Sequence, residues 1–298
     1  MRADLYVYSD SFKYNGVDSV QTLLVKLQTF KDLTQRVPSS DNQFLFNNGD
    51  FLNTVFLPDG TTCKELIYGN FNSSGNRDLS LIFKTLLTSG VYHVTNFSSE
   101  EINELIGEHS EEVCAAKVVL SKESINDKTK QLLGTFEDWL AFRSYFLGLY
   151  PGDVDFFYKE CKRYYPNLKF GTRYKSMTTE VLVSHSQRLT ECLHIMNSHM
   201  LLEYQNFKGS NIEFPAFFAS KYGLDGGSFE GRKDKKFEIV FDTDPPQTLI
   251  CEPHLKFNKP DYSKKNIPGI NFYCRVYFCM PSTKNENYIY IGAIVKHL

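Results

Sequence analysis

From about residue 210 the hydrophobic pattern of this chain changes period, and that change constrains the fold more than any other feature. KFEIVFD (236–242), TLICEPHLKF (248–257), NFYCRVYFCM (271–280) and YIYIGAIVKHL (288–298) are rich in branched and aromatic residues that alternate with polar ones. Period two is the mark of a strand with distinct faces. Turn signals separate the runs closely, so an antiparallel meander is the simplest connection. Before the switch, residues 130–206 read as helices. LLGTFEDWLAFRSYFLGLY ends at Pro151-Gly152, and VDFFYKECKRYY stops at Pro166. The segment 178–204 places Leu182, Leu189, Leu193, Met196 and Met200 on one stripe, the pattern of a core-facing helix.

Residues 1–120 are mixed. LYVYSDSF and AAKVVL read as strands. Residues 18–37 read as a helix with Asp18 as its N-cap, and Ser98 with Glu101 forms a capping-box pattern that opens another. RDLSLIFKTLL is a further helix, while NNGD and PDG predict strands and hairpins between 42 and 69. The polar stretch SKESINDKTK (121–130) is the best boundary. The expected class is α+β: a mixed α/β domain over 1–120, then a unit over 130–298 in which a helical segment packs on a C-terminal antiparallel β-sheet.

At 298 residues, with 42% hydrophobic and 15% aromatic content, the chain has ample material for packed cores. A net charge of −2 makes no whole-chain case for nucleic acid or membrane, so any such case is local. No apolar run reaches the roughly 20 residues that span a bilayer, and MRADLYVYSDSF has acids where a signal peptide carries its apolar stretch. Seven scattered cysteines without a CxxC pair suit reduced, buried thiols. Together these predict a cytoplasmic protein with no membrane association.

The chain has no GxxxxGK[ST], GxSxG or HExxH. His194 and His199 are five apart, the wrong spacing for one ligand face, and His185 on the apolar stripe reads as a buried structural histidine. The Gly-rich YGLDGGSFEGRKDKK (222–236) reads as a mobile loop. Asp242 or Asp244 with Glu252 and Lys256 only faintly resembles the acid–acid–lysine arrangement of a metal nuclease, because its acid and lysine are four apart instead of two.

The alternation in CEPHLKF (251–257) puts Glu252, His254 and Lys256 on one face, with Cys251, Leu255 and Phe257 on the other. Pro253 hints at an edge or a bulge there. Tyr273, Arg275 and Tyr277 alternate with Phe272, Cys274, Val276 and Phe278. Tyr288, Tyr290 and Lys296 alternate with Ile289, Ile291, Ala293 and Val295, and His297 follows. Residues 254–298 carry seven Lys and Arg against two acids. Basic groups interleaved with aromatics on a sheet suit phosphate contacts and base stacking, although Lys, Arg and Tyr are also ordinary residents of a solvated sheet face.

The order HLK, RVYF, IYIGxxxKHL resembles the C-terminal core of RelE/HigB-type toxins, small bacterial mRNA interferases, over about 248–298. It is also similar to a group of bacterial proteins of toxin–antitoxin or phage-defence settings that end in the same pattern. The resemblance implies metal-free RNA cleavage without a cofactor. In it Arg275 and Lys256 bind phosphate and stabilise the transition state, Tyr277 or His297 serves as acid or base, and His254 is a further candidate. Lys259, Lys264, Lys265, Tyr273, Tyr288, Tyr290 and Lys296 would contact the nucleic acid. The implied partner is RNA, free or on the ribosome, or a protein such as an antitoxin or defence-complex subunit; exposed Phe and Tyr would support a homo-oligomer. The alternatives are a non-catalytic module that docks a protein or nucleic acid, and a metal nuclease built on Asp242, Glu252 and Lys256.

Overall fold

The structure is a computed structural model of the whole chain that describes residues 1–69, 74–88, 92–122, 129–231, 234–243, 245–257, 261, 274–279 and 287–296. It is α+β and divides into two compact units, Met1–Phe142 and Arg143–Leu298.

In the first unit the order is β1 (Arg2–Val7), α1 (Val20–Arg36), β2 (Asn42–Asn47), α2 (Asn48–Asn53), α3 (Cys63–Tyr68), α4 (Ser74–Thr88), β3 (Tyr92–Thr95), α5 (Ser99–Gly107), β4 (Val113–Val118) and β5 (Leu132–Leu133), leading into α6 (Phe136–Leu149). Among the described residues the strands lie in the order β3-β2-β1-β4-β5, all parallel. The sheet is wound outward in both directions from β1 and β4. Five of the six residues of β1 are buried, as expected of a strand covered on both faces. On one side Phe12, Phe30, Phe51, Phe56 and Phe83 pack edge to face, and on the other Tyr6 and Ala115 meet Ile102 and Ile106 of α5.

Local signals decide the helix starts here. Ser98 and Glu101 form the predicted capping box. Helix α1 is capped by Ser19, which accepts from Thr22 N; Asp18 instead takes the Lys26 ammonium at 2.8 Å. NNGD makes no hairpin, because the Asn47 side chain accepts from Gly49 N and Asp50 N and starts α2. The PDG turn does close a short antiparallel bridge, Val55 to Thr62.

The second unit continues with α7 (Val154–Tyr164), β6 (Leu168–Phe170), α8 (Thr178–Ile195), a π-helical turn over Met196–Met200, α9 (Leu201–Asn206), α10 (Phe214–Lys221), β7 (Gly226–Phe229), β8 (Glu238–Phe241), β9 (Gln247–Ile250), β10 (Pro253–Phe257), β11 (Cys274–Cys279) and β12 (Ile289–Val295). The stripe of α8 and its extension is buried as the sequence predicts, and α8 packs on β10 and β12. The helix kinks at His185 (φ −132°, ψ 19°), which is fully buried with Ser184 Oγ 2.7 Å from its Nδ1. Asp261 restarts it: the carboxylate accepts from Gln187 N and Arg188 N, and the Asp261 amide donates to Ser184 O.

Three features of the C-terminal sheet differ from the sequence expectation. First, the sheet is mixed, β6-β12-β11-β10-β7 among the described residues, with β6 parallel to β12. Its edge strand β7 comes from the Gly-rich segment read as a loop. Gly227 is what admits it, since a Cβ there would lie 2.1 Å from the Pro215 carbonyl oxygen of α10.

Second, 248–257 is two strands. The chain leaves β9 at Ile250, passes Cys251 and Glu252, and enters β10 at Pro253, where a missing N–H costs nothing at a strand's first residue. Strands β8 and β9 form a separate hairpin whose Phe237, Ile239 and Phe241 pack with Cys251, Tyr277, Tyr290, Ala293 and Val295 in one buried cluster. Each large side chain so buried is worth about 1.5–3 kcal/mol, which holds the hairpin over the sheet.

Third, a bulge between Tyr277 and Phe278 shifts the register of β12. Ala293 therefore pairs with Tyr277, and Val295 with Arg275, on the face where alternation placed only polar partners.

Candidate functional site at the edge of the C-terminal sheet

Strand pairing sets the site out in two rows. His254 on β10 pairs with Ser228 on β7 and with Tyr277 on β11, and Lys256, paired with Gly226 and Arg275, forms the next row on the same face. Two residues along a strand separate the rows, about 7 Å.

His254 is 1% exposed. Ser228 Oγ lies 2.9 Å from its Nε2, the Glu252 carbonyl oxygen 3.3 Å from its Nδ1, and Glu230 Oε1 3.8 Å from the same Nδ1. A carbonyl oxygen cannot donate, so the proton belongs on Nδ1, and Nε2 keeps the lone pair that accepts the Ser228 hydroxyl. Burial lowers the His254 pKa to about 4, with the Arg275 and Lys256 charges acting the same way and the Glu252 carbonyl and Glu230 opposing them. At neutral pH the ring is uncharged.

The Tyr277 ring packs on His254 with centroids 4.8 Å apart. Arg275 reaches back over this row: its Nη1 donates to Glu230 Oε1 at 3.0 Å and to Tyr277 Oη at 3.1 Å. Arg275 Nε is buried and has no acceptor among the described residues. Lys256, half-buried opposite Arg275, has no ion-pair partner among them either. The site thus gathers two cations, one carboxylate balanced by Arg275, a neutral imidazole and two hydroxyls, those of Ser228 and Tyr277.

Of the sequence candidates, the structure brings Arg275, His254, Lys256 and Tyr277 together. Tyr290 is 4% exposed, with its ring 5.0 Å from that of Phe241, and Tyr277 is fully buried. Neither offers a face for a base to stack on, because the β8–β9 hairpin occupies that face. Tyr288 is 39% exposed, beneath the Lys169 ammonium at 4.1 Å, but it precedes the end of β12 remote from Arg275. Lys296 is exposed just beyond β12. His297, Lys259, Lys264, Lys265, Tyr273 and Asp244 lie outside the described residues. Asp242 follows β8, in the hairpin, whereas Lys256 is in the sheet. No three His, Cys, Asp or Glu side chains converge on a metal position among the described residues.

Sequence reasoning missed Ser228 and Glu230. The signal was there in SFE, two polar residues flanking Phe229 at strand spacing, but the surrounding glycines and the charged run after it outweighed so short an alternation.

In the first unit, a ligand in a parallel sheet of this order would sit where β1 and β4 diverge. The strand ends are tied together there: Ser11 Oγ donates to Tyr8 O at 2.7 Å and accepts from Leu120 N at 3.0 Å, and Tyr8 N donates to Val118 O.

Comparison with protein-family models, with curated proteins and with solved structures finds no significant match to this chain. No helix among the described residues is long and apolar enough to cross a membrane.

Proposed function

We propose that the open edge of the C-terminal sheet binds the phosphodiester backbone of RNA and cuts it without metal, in a bacterial cytoplasmic protein of the toxin or phage-defence type. The observation that carries this reading is the pair Lys256 and Arg275, side by side in register, with the lysine lacking an ion-pair partner and the arginine keeping a buried, unfilled Nε donor among the described residues. Unfilled cationic donors next to a neutral base suit a phosphate. The resemblance of the C-terminal strands to RelE/HigB-type toxins assigns these two residues the same work. With Tyr277 and Tyr290 buried, recognition rests on backbone phosphate rather than base stacking.

The test is anisotropy of a labelled single-stranded RNA with the full chain, titrated with salt in the presence of chelator. Lys256→Ala and Arg275→Gln should each weaken binding by about tenfold and reduce the salt slope by roughly 0.7. Binding that ignores salt, or that both variants retain in full, removes the reading.

A second reading, a non-catalytic module that docks a protein, is favoured by Val240 (58% exposed) and Ile250 (46% exposed) on the outer side of the hairpin. Pull-down of a defined partner lost in Val240→Asp, with no RNA binding, would select it.

A further inference from the structure

We infer that Ser228 is a covalent nucleophile, activated by His254, toward the phosphodiester held at this edge. The inference rests on the preceding reading for the class of substrate and on separate observations for the nucleophile. These are the 2.9 Å contact of Ser228 Oγ with His254 Nε2, the carbonyl that fixes the proton on Nδ1, and the Glu230 carboxylate on the far side of the ring. A hydroxyl, a base and a group that orients the base are the parts an activated serine needs.

The exposures fit that division. His254 is buried and meets the reacting atoms only through Nε2, beside Ser228 Oγ. Ser228 is half-buried on the edge strand and is the group open to the phosphodiester. In the forward step Ser228 Oγ forms a bond to phosphorus, the bond from phosphorus to the leaving oxygen breaks, and the serine proton passes to His254 Nε2 and on to that oxygen. Glu230 stabilises the transient imidazolium, and Arg275 faces the charge on the non-bridging oxygens. Water, deprotonated by His254, then displaces Oγ from phosphorus, which returns the serine and releases a phosphomonoester. The chemistry needs no redox partner and no 2′-hydroxyl. A bound strand with a 2′-deoxy substitution at the scissile position is therefore cut as well as its parent.

The experiment treats the full chain with a phosphonofluoridate probe and maps the adduct by peptide mass. Labelling is expected at Ser228, absent in Ser228→Ala, and slowed by about a hundredfold or more in His254→Gln. Glu230→Gln, on a partly exposed side chain, tests the same machinery should the histidine variant not fold; it should label several-fold more slowly. A folded wild-type chain without a Ser228 adduct overturns the inference. So does labelling that Glu230→Gln and a folded His254→Gln leave unchanged, or strand cleavage abolished by the 2′-deoxy substitution. The two claims have separate readouts on the wild-type chain: the adduct reports the nucleophile, and anisotropy reports RNA binding. An adduct in a chain that binds no RNA upholds the nucleophile and discards the RNA reading, and RNA binding without an adduct does the reverse.

Discussion

Asp261 caps helix α8 from outside the helix: its two carboxylate oxygens each accept a backbone N–H, from Gln187 and Arg188, both at 3.1 Å. The side chain is 1% exposed and accepts from Ser186 Oγ as well. It does the work of an N-cap residue at a helix start that the kink at His185 leaves without one of its own. Asp261→Ala should therefore destabilise the second unit by about 1–2 kcal/mol, the upper part of the range for cap removal. Asp261→Asn, which keeps one acceptor, should lose less. Urea midpoints of the three proteins check the order.

A second buried charge cluster links α6 and α7 within the second unit. Arg143 donates to Tyr164 Oη at 2.9 and 2.6 Å, Tyr164 donates to Glu160, and Arg163 Nη1 lies 3.0 Å from the same carboxylate. The Arg143 and Glu160 side chains are 2% and 5% exposed. Removing the carboxylate breaks the buried Arg143–Glu160 pair, so Glu160→Ala should cost about 3–5 kcal/mol. A double Glu160→Leu/Arg143→Met variant should recover much of that loss in the same unfolding measurement.

His254 makes stability depend on pH in a defined direction. Its folded pKa of about 4 lies below the ordinary 6.5, so between those values the unfolded chain holds more proton than the folded one. Stability is full above about 6.5 and falls as pH drops toward 4. The ratio of unfolding free energies at pH 7 and pH 5 should be larger for the wild type than for His254→Gln. Equal pH dependence in the two would place the histidine's proton equilibrium elsewhere.

Gly227→Ala should separate strand β7 from helix α10, because the added methyl meets the backbone of Pro215 rather than a movable side chain. Overpacking of this kind costs about 1–3 kcal/mol. The same shift carries Ser228 away from His254, so labelling of the serine should fall further than stability does. Thermal unfolding and probe kinetics on one preparation separate the two effects.

What the sequence reveals follows the range of each interaction. The Ser98–Glu101 box, the stripe from Leu182 to Met200 and the burial of His185 are legible because neighbours within a few residues decide them. The capping box at Thr62 and Glu65 is equally local, though it directly follows the PDG turn. The parallel order of β1, β2 and β4 is not legible, since it pairs residues such as Leu5, Phe44 and Ala116 across long stretches of chain. For the site, alternation found Arg275, His254, Lys256 and Tyr277, all on two strands paired in simple register. It could not show that Tyr277 and Tyr290 are covered, because the cover is a hairpin whose pairing is tertiary.

That cover has a consequence for the shape of anything that uses the site. The stretch that forms the lid runs straight on into the sheet beneath it, with only Cys251 and Glu252 between β9 and β10. Lid and seat are one piece of chain, and the aromatic core between them ties them into one cooperative block. A visitor consequently meets the sheet from its rim, as a key meets the edge of a closed book. Of the row beneath the lid, only the β7 end, at half-buried Ser228, is left uncovered among the described residues, since His254 and Tyr277 are buried.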